Sequence, residues 1–148
     1  MAWHKKILRV DLTEEVCQEE MLNMAWAEHY IGQRGLATKY LSEEMDPTAD
    51  PLSPDNIIIF ATGPLTGTSA ATGGRYSVIT KSPLTNAIAC SNSGGYWGGE
   101  LRMAGWDMVI ITGKAKSPLY LLVHDSKAQL LRASNFIWGQ SVWDTERK

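Results

Sequence analysis

Three stretches of this 148-residue sequence concentrate glycine beside residues able to hold an anion or a flat polar ligand. They are Gly63-Pro64-Leu65-Thr66-Gly67, Thr72-Gly73-Gly74-Arg75-Tyr76 and Ser91-Asn92-Ser93-Gly94-Gly95-Tyr96-Trp97-Gly98-Gly99. Glycine permits positive φ and lets a backbone approach a ligand closely. Arg75 adds a fixed cation with a planar fork of donors, suited to a phosphate or a polar ring edge. The third stretch also opens a helix, whose first amides and dipole favour an anion. Each loop alone reads more readily as a tight turn without a ligand. Together, with Arg75 in one and Asn92-Ser93 in another, they point to a phosphorylated ligand and no further. None has the Gly-Lys-Ser/Thr ending of a nucleotide-binding loop, and Gly-x-Gly-x-x-Gly is absent.

Other reactive residues are scattered. Cys17 and Cys90 lack a second ligand at the short spacing of zinc or iron–sulfur sites, and each reads as a small buried apolar residue. His4, His29 and His124 are equally dispersed; Glu28 and His29 read as helix surface, and Asp107 has no obvious acid–base partner. Trp97, Trp106, Trp138 and Trp143 could stack a flat ligand, but aromatics near glycine more often fill the space beside a bare backbone. No nucleophile–base pair stands out.

The elements that must position these loops follow from periodicity. Ile7–Leu12 and Val16–Leu22 read as a hairpin turning at Thr13-Glu14-Glu15. Asn23 can cap a short helix carrying Trp26, Tyr30 and Ile31. After a break at Gly32-Gln33-Arg34-Gly35, a second helix places Leu36, Tyr40, Leu41 and Met45 on one face. Asp46–Asn56 is loop, and the apolar run Ile57–Ala61 reads as a buried central strand. Arg75–Thr80, Ala87–Ser91, Asp107–Thr112, Pro118–His124 and Ala128–Ala133 read as strands, and Gly95–Ala104 as a short helix. The expectation is an α+β domain dominated by sheet, with about seven strands and three helices. Near the end, Ser141-Val142-Trp143-Asp144 has the spacing of a capping box, in a helix read as continuing past Lys148. A net charge of −2 with both signs dispersed argues against nucleic acid. No apolar run is long enough for a membrane span or a signal peptide core, so a cytoplasmic location is expected.

At the glycine loops the sequence resembles the aldehyde ferredoxin oxidoreductase family of tungsten bis-pterin enzymes. The resemblance is carried by Phe60-Ala61-Thr62-Gly63-Pro64-Leu65-Thr66-Gly67-Thr68, by Gly74-Arg75-Tyr76-Ser77-Val78-Ile79-Thr80-Lys81-Ser82-Pro83-Leu84-Thr85, and by the run from Ser91 to Asp107. Ile7–Leu12 and the late Ile137-Trp138-Gly139 fit too, so it covers nearly the whole chain. One departure is Gln33, where the family usually reads Gly-Gly-Arg-Gly, a change expected to be tolerated.

The resemblance implies that residues 1–148 form the amino-terminal pterin-binding domain, incomplete at its C-terminal end. They would be a sheet-built base under a tungsten (or molybdenum) bis-pterin. It implies that Arg75 bridges a pterin and a nearby 4Fe–4S cluster. It also implies that Asn92 gives its backbone carbonyl to the magnesium joining the pterin phosphates, and that Gly74, Ser93, Gly94 and Gly95 pack on the cofactor. The family's Cys-x-x-Cys-x-x-x-Cys cluster motif is absent here, so the cluster would be ligated outside this chain. The implied reaction is oxidation of an aldehyde to a carboxylic acid, with electrons passing to ferredoxin or a related carrier. The partners would be the remainder of the enzyme, as downstream domains or a separate chain, an electron carrier and a small aldehyde; no nucleic acid and no membrane. Alone, the chain is expected to be inactive. The rival readings are a non-catalytic module binding phosphate, pterin or a partner through the same loops, and a remnant without function.

Overall fold

The computed structural model describes residues 2–133 and 137–148. Strands β1 (Lys6–Asp11) and β2 (Val16–Met21) form the expected hairpin. Its turn is fixed by Asp11, whose Oδ1 accepts from the amides of Thr13 at 2.8 Å and Glu14 at 3.0 Å. Helix α1 (Met24–Tyr30) starts where Asn23 Oδ1 accepts from the Trp26 amide at 3.1 Å. Helix α2 (Gln33–Glu44) buries Leu36, Ala37, Tyr40 and Leu41, the face its spacing predicts. Then come β3 (Ile58–Thr62), β4 (Tyr76–Lys81), β5 (Ile88–Ser93), α3 (Trp97–Met103), β6 (Met108–Thr112), β7 (Leu119–His124), β8 (Lys127–Arg132) and α4 (Val142–Glu146). Among the described residues there are thus eight strands and four helices, against the summary count of about seven and three, although each lies at a segment the sequence reading named. The extra helix is the turn that Ser141 caps through Asp144.

Six strands form one mixed sheet in the order β2-β1-β6-β3-β4-β5, and β7-β8 form a separate hairpin. β1 and β6 pair in parallel, the other neighbours antiparallel. Alternate side chains point to opposite faces of a strand, and both faces of the central strands are apolar. On one face Ile7, Ile59, Ala61, Ile79, Met108 and Ile110 pack beneath α1 and α2. On the other, Leu8, Val10 and Val109 meet α3 through Leu101 and the β7–β8 hairpin through Leu121, Val123, Ala128 and Leu130. The sheet is therefore the middle of three layers, the arrangement that covers both its apolar faces. No helix among the described residues is long and apolar enough to cross a membrane.

Candidate functional site

The antiparallel pairing of β3, β4 and β5 brings the glycine stretches to one end of the sheet. β3 ends there, β4 begins there and β5 ends there, since Thr62 lies opposite Tyr76 and Tyr76 opposite Ser93. Gly63–Thr68, Gly74-Arg75 and Gly94-Gly95 thus share one rim, joined by α3. Several glycines are needed for the loops to touch. A Cβ at Gly98 would lie 3.0 Å from the Gly74 carbonyl, and one at Gly74 would lie 3.3 Å from the Gly95 carbonyl. Gly94 and Gly95 differ, because a Cβ on either would meet nothing within 4 Å. These two face open space.

Arg75 and Asn92 meet at this rim. The Arg75 Nη1 donates to Asn92 Oδ1, and both residues are exposed. The Arg75 backbone is held from below, its carbonyl accepting from Gln33 Nε2 at 2.9 Å and from Thr66 Oγ1 at 3.2 Å. Thr66 is buried and its Oγ1 also accepts from the Gly63 amide at 3.0 Å, tying the first glycine loop to the second. Gln33 and Thr66 are site-supporting residues that sequence reasoning missed. The position of Thr66 inside the first glycine stretch was the available signal.

The outward direction of the Asn92 carbonyl follows from the register. Ser82 donates its amide to the Ala87 carbonyl at 2.8 Å, next to the Lys81–Ile88 pair that opens the β4–β5 ladder. Bonded and non-bonded pairs alternate along an antiparallel ladder. Ser77–Asn92 therefore falls on a non-bonded pair, and the N–H and C=O of Asn92 point out of the free edge of β5. A carbonyl turned to solvent suits a hard cation such as magnesium, and open glycine amides suit a phosphate. Helix α3 adds little of the anion-holding field expected of it. It has only seven residues and carries Glu100 in its first turn.

Arg102 and Asp107 form a second arginine pair, at the base of the same end. They are 4% and 3% exposed and make a buried ion pair. Asp107 also accepts from the amides of His4 at 3.1 Å and Lys6 at 3.2 Å, and Arg102 Nη2 donates to the Ala2 carbonyl at 2.8 Å. The Asp107 carbonyl in turn accepts from Thr62 Oγ1 at 2.8 Å. Asp107, read as having no obvious acid–base partner, is thus a structural knot joining β1, β3 and α3. Burial lowers the Arg102 pKa, and burial together with the Arg102 charge lowers that of His4.

Other expectations are sorted by burial. Cys17 and Cys90 lie on the two opposite edge strands: Cys17 is half-buried, packed on the cluster beneath the β7–β8 hairpin with burial raising its thiol pKa, whereas Cys90, outside both core clusters, is exposed. His29 is exposed on α1, its Nδ1 2.8 Å from the Ala25 carbonyl. Trp97 packs with Tyr76, ring centroids 4.4 Å apart, and with Phe60 at 5.5 Å, filling the space beside Gly98. These rings wall a cavity of about 680 Å³ between α3 and the β7–β8 hairpin. Trp106 is core, whereas Trp138 and Trp143 are exposed. Among the described residues no three His, Cys, Asp or Glu side chains gather in a metal-binding arrangement.

Residues 7–148 match the family described as aldehyde ferredoxin oxidoreductase, N-terminal domain. The chain belongs to this family. It is 56% identical over 142 residues to a tungsten-containing aldehyde ferredoxin oxidoreductase of Pyrococcus abyssi, and 50% identical over 141 residues to that of Pyrococcus furiosus. It covers 23% of each of these relatives, which in turn match 96% and 95% of this chain. A P. furiosus protein described as an aliphatic sulfonate oxidoreductase, WOR-like subunit, is 38% identical over 141 residues. Among solved structures, the active site complex BamBC of benzoyl coenzyme A reductase, in complex with 1,5 dienoyl-CoA, superimposes with a TM-score of 0.88 at 37% identity. That match covers 90% of this chain and 20% of that one. The fold and the family of the sequence analysis both stand.

Proposed function

We propose that this chain is the cofactor-seating portion of a tungsten-pterin, iron–sulfur oxidoreductase. The complete enzyme would convert an aldehyde and water to a carboxylic acid and pass two electrons to ferredoxin or a related carrier. The observation that carries the reading is the Arg75–Asn92 pair, set beside open Gly94 and Gly95 with the Asn92 carbonyl turned outward. The 56% identity to a tungsten-containing relative supports tungsten as the metal.

The chain's own residues would bind and orient. Asn92 would offer its backbone carbonyl to magnesium, and the Gly94 and Gly95 amides would meet the pterin phosphates. Ser93 would pack on the cofactor beside them. Arg75 would set a guanidinium against the pterin on the side facing a 4Fe–4S cluster ligated outside this chain, its backbone fixed by Gln33 and Thr66. The bound metal would supply the two-electron chemistry, with its sulfur ligands coming from the pterins rather than from cysteine here. No residue of this chain is assigned a proton-transfer role.

The test is metal and pterin content of the chain purified alone and after co-expression with the remaining three quarters of a relative's length. Tungsten with two pterins, present only in the co-expressed sample, is the expected result. If both samples are empty while the chain is folded, the seat reading fails and a non-catalytic binding module takes its place.

A further inference from the structure

The connection between α1 and α2 is the most contorted backbone near the site. Ile31 has φ 66° and ψ −67°, and the Gly32 amide donates to the Tyr30 carbonyl at 2.8 Å, which makes Tyr30–Gly32 a tight γ-turn. That conformation is rare and strained, and a β-branched residue at positive φ is a genuine outlier. Gln33 follows at φ 44°, also in the left-handed region. Gly32 lies between them, and a Cβ on it would stand 3.1 Å from the Gly63 Cα, the Pro64 Cδ and the Thr62 carbonyl. Two strained side-chain-bearing residues thus flank a glycine whose Cβ position is crowded by the loop after β3.

Nothing in helix formation asks for this. A glycine at either strained position would adopt the same angles without the steric cost of a Cβ. What glycine would not supply at position 33 is a side chain. Gln33 Nε2 reaches across 42 residues of sequence to the Arg75 carbonyl at 2.9 Å, and lies 3.3 Å from where a Gly63 Cβ would be. Strain maintained at a site by its surroundings marks a positioning device more often than a fold requirement.

We propose that Gln33 is a positioning residue for Arg75, its side-chain amide held against the Arg75 carbonyl from a turn that keeps a left-handed backbone at position 33. The proposal rests on the reading of Arg75 as a cofactor contact. Gln33 acts on the backbone, and the guanidinium is aimed as a consequence. The amide occupies one lone pair of the carbonyl and Thr66 the other, so both acceptor directions are filled. The peptide plane after Arg75 is then fixed from two sides before any ligand arrives.

The test compares Gln33→Gly, Gln33→Glu and Gln33→Lys with the parent chain by NMR relaxation and thermal melting. Gln33→Gly relieves the strain and removes the donor. Its melting temperature should stay within about 3 °C of the parent or rise, a shift under 1 kcal/mol for a domain this size. The backbone order parameter at Arg75 should meanwhile fall from the rigid range near 0.85 toward the flexible range below about 0.6. Gln33→Glu keeps the shape but has no proton to donate when ionised, so Arg75 should loosen likewise. Gln33→Lys restores a donor and should restore much of the order. Arg75 remaining rigid in the Gly or Glu variant would overturn the proposal. So would a fall of more than about 10 °C in the Gly variant, which would make Gln33 a support of the fold. Tungsten and pterin content of the same variants in the complete enzyme tests the other reading separately. Full cofactor occupancy with a loosened Arg75 would leave the Gln33 assignment standing and count against Arg75 as the contact.

Discussion

Two arginine pairs stand at one end of the same sheet and answer to opposite physics. Arg102–Asp107 is sealed from water and bonded further to backbone groups of Ala2, His4 and Lys6, with only the Arg102 Nε left without a hydrogen-bond partner among the pair's nitrogens and carboxylate oxygens. Arg75–Asn92 lies in the open at the end of an edge strand, with a neutral partner. A buried charge must be matched or the fold suffers, whereas an exposed guanidinium beside an amide is free to exchange that bond for a ligand. The inner pair holds the rim together and the outer pair is what the rim presents.

The largest effect expected from breaking this contrast is at Asp107. Asp107→Ala leaves Arg102 buried without its counter-charge and should cost about 3–5 kcal/mol, read from urea unfolding. An apolar double replacement, Arg102→Met with Asp107→Leu, should recover part of that loss. Equal instability in both variants would mean that the backbone bonds to Asp107, and not the charge pair, hold the knot. At the outer pair the expectation reverses. Arg75→Ala should leave stability within about 0.5 kcal/mol of the parent by the same measurement. In the complete enzyme, however, it should lower cofactor retention or electron transfer; unchanged tungsten content and turnover would remove Arg75 from the site.

The smallest effect concerns pH. His4 sits against the inner pair, and burial together with the Arg102 charge holds its pKa below the ordinary 6.5. As pH falls, the unfolded chain therefore takes up this proton before the folded one does. The His4 contribution is present above about pH 7 and is progressively lost as pH drops through 6.5 toward the lowered folded value. His4→Gln should flatten the stability profile as pH falls from about 7 through 6.5, by thermal melting in matched buffers. An unchanged slope would place the pH response elsewhere.

Much of this contrast was legible in residue order. Asn23 announced the cap of α1, the apolar run before Thr62 announced a sheet centre, and the glycine stretches marked the rim. Arg75 and Asn92 were recognisable because loop chemistry is local and the family resemblance runs through those motifs. Asp107 was not, because its partners come from α3 and from the start of β1 and are assembled only by the parallel pairing of β1 with β6. The insertion of β6 between β1 and β3 leaves no periodic trace, since a strand's residue pattern shows which faces are buried and not which strand lies beside it. Gln33 looked like a harmless departure from a glycine, because a dihedral angle and a reach to Arg75 are invisible in sequence. Cys90 looked buried because its residue type usually is, and edge position is a property of topology.

That parallel pairing has a consequence in time. Ile7 of β1 lies opposite Met108 of β6, so during synthesis β1 waits on the order of a hundred residues for its inner neighbour. At roughly 5–20 residues per second this is a delay of about 5–20 s, far longer than a hairpin needs to form. During it the nascent β1–β2 hairpin carries Ile7, Leu8 and Val10 with one edge unpaired, while Glu19 and Glu20 on β2 keep the other edge charged. Arrival of β6 closes the sheet and sets Asp107 beside β1 in the same event, so the sheet centre and the anchor of the rim are completed together.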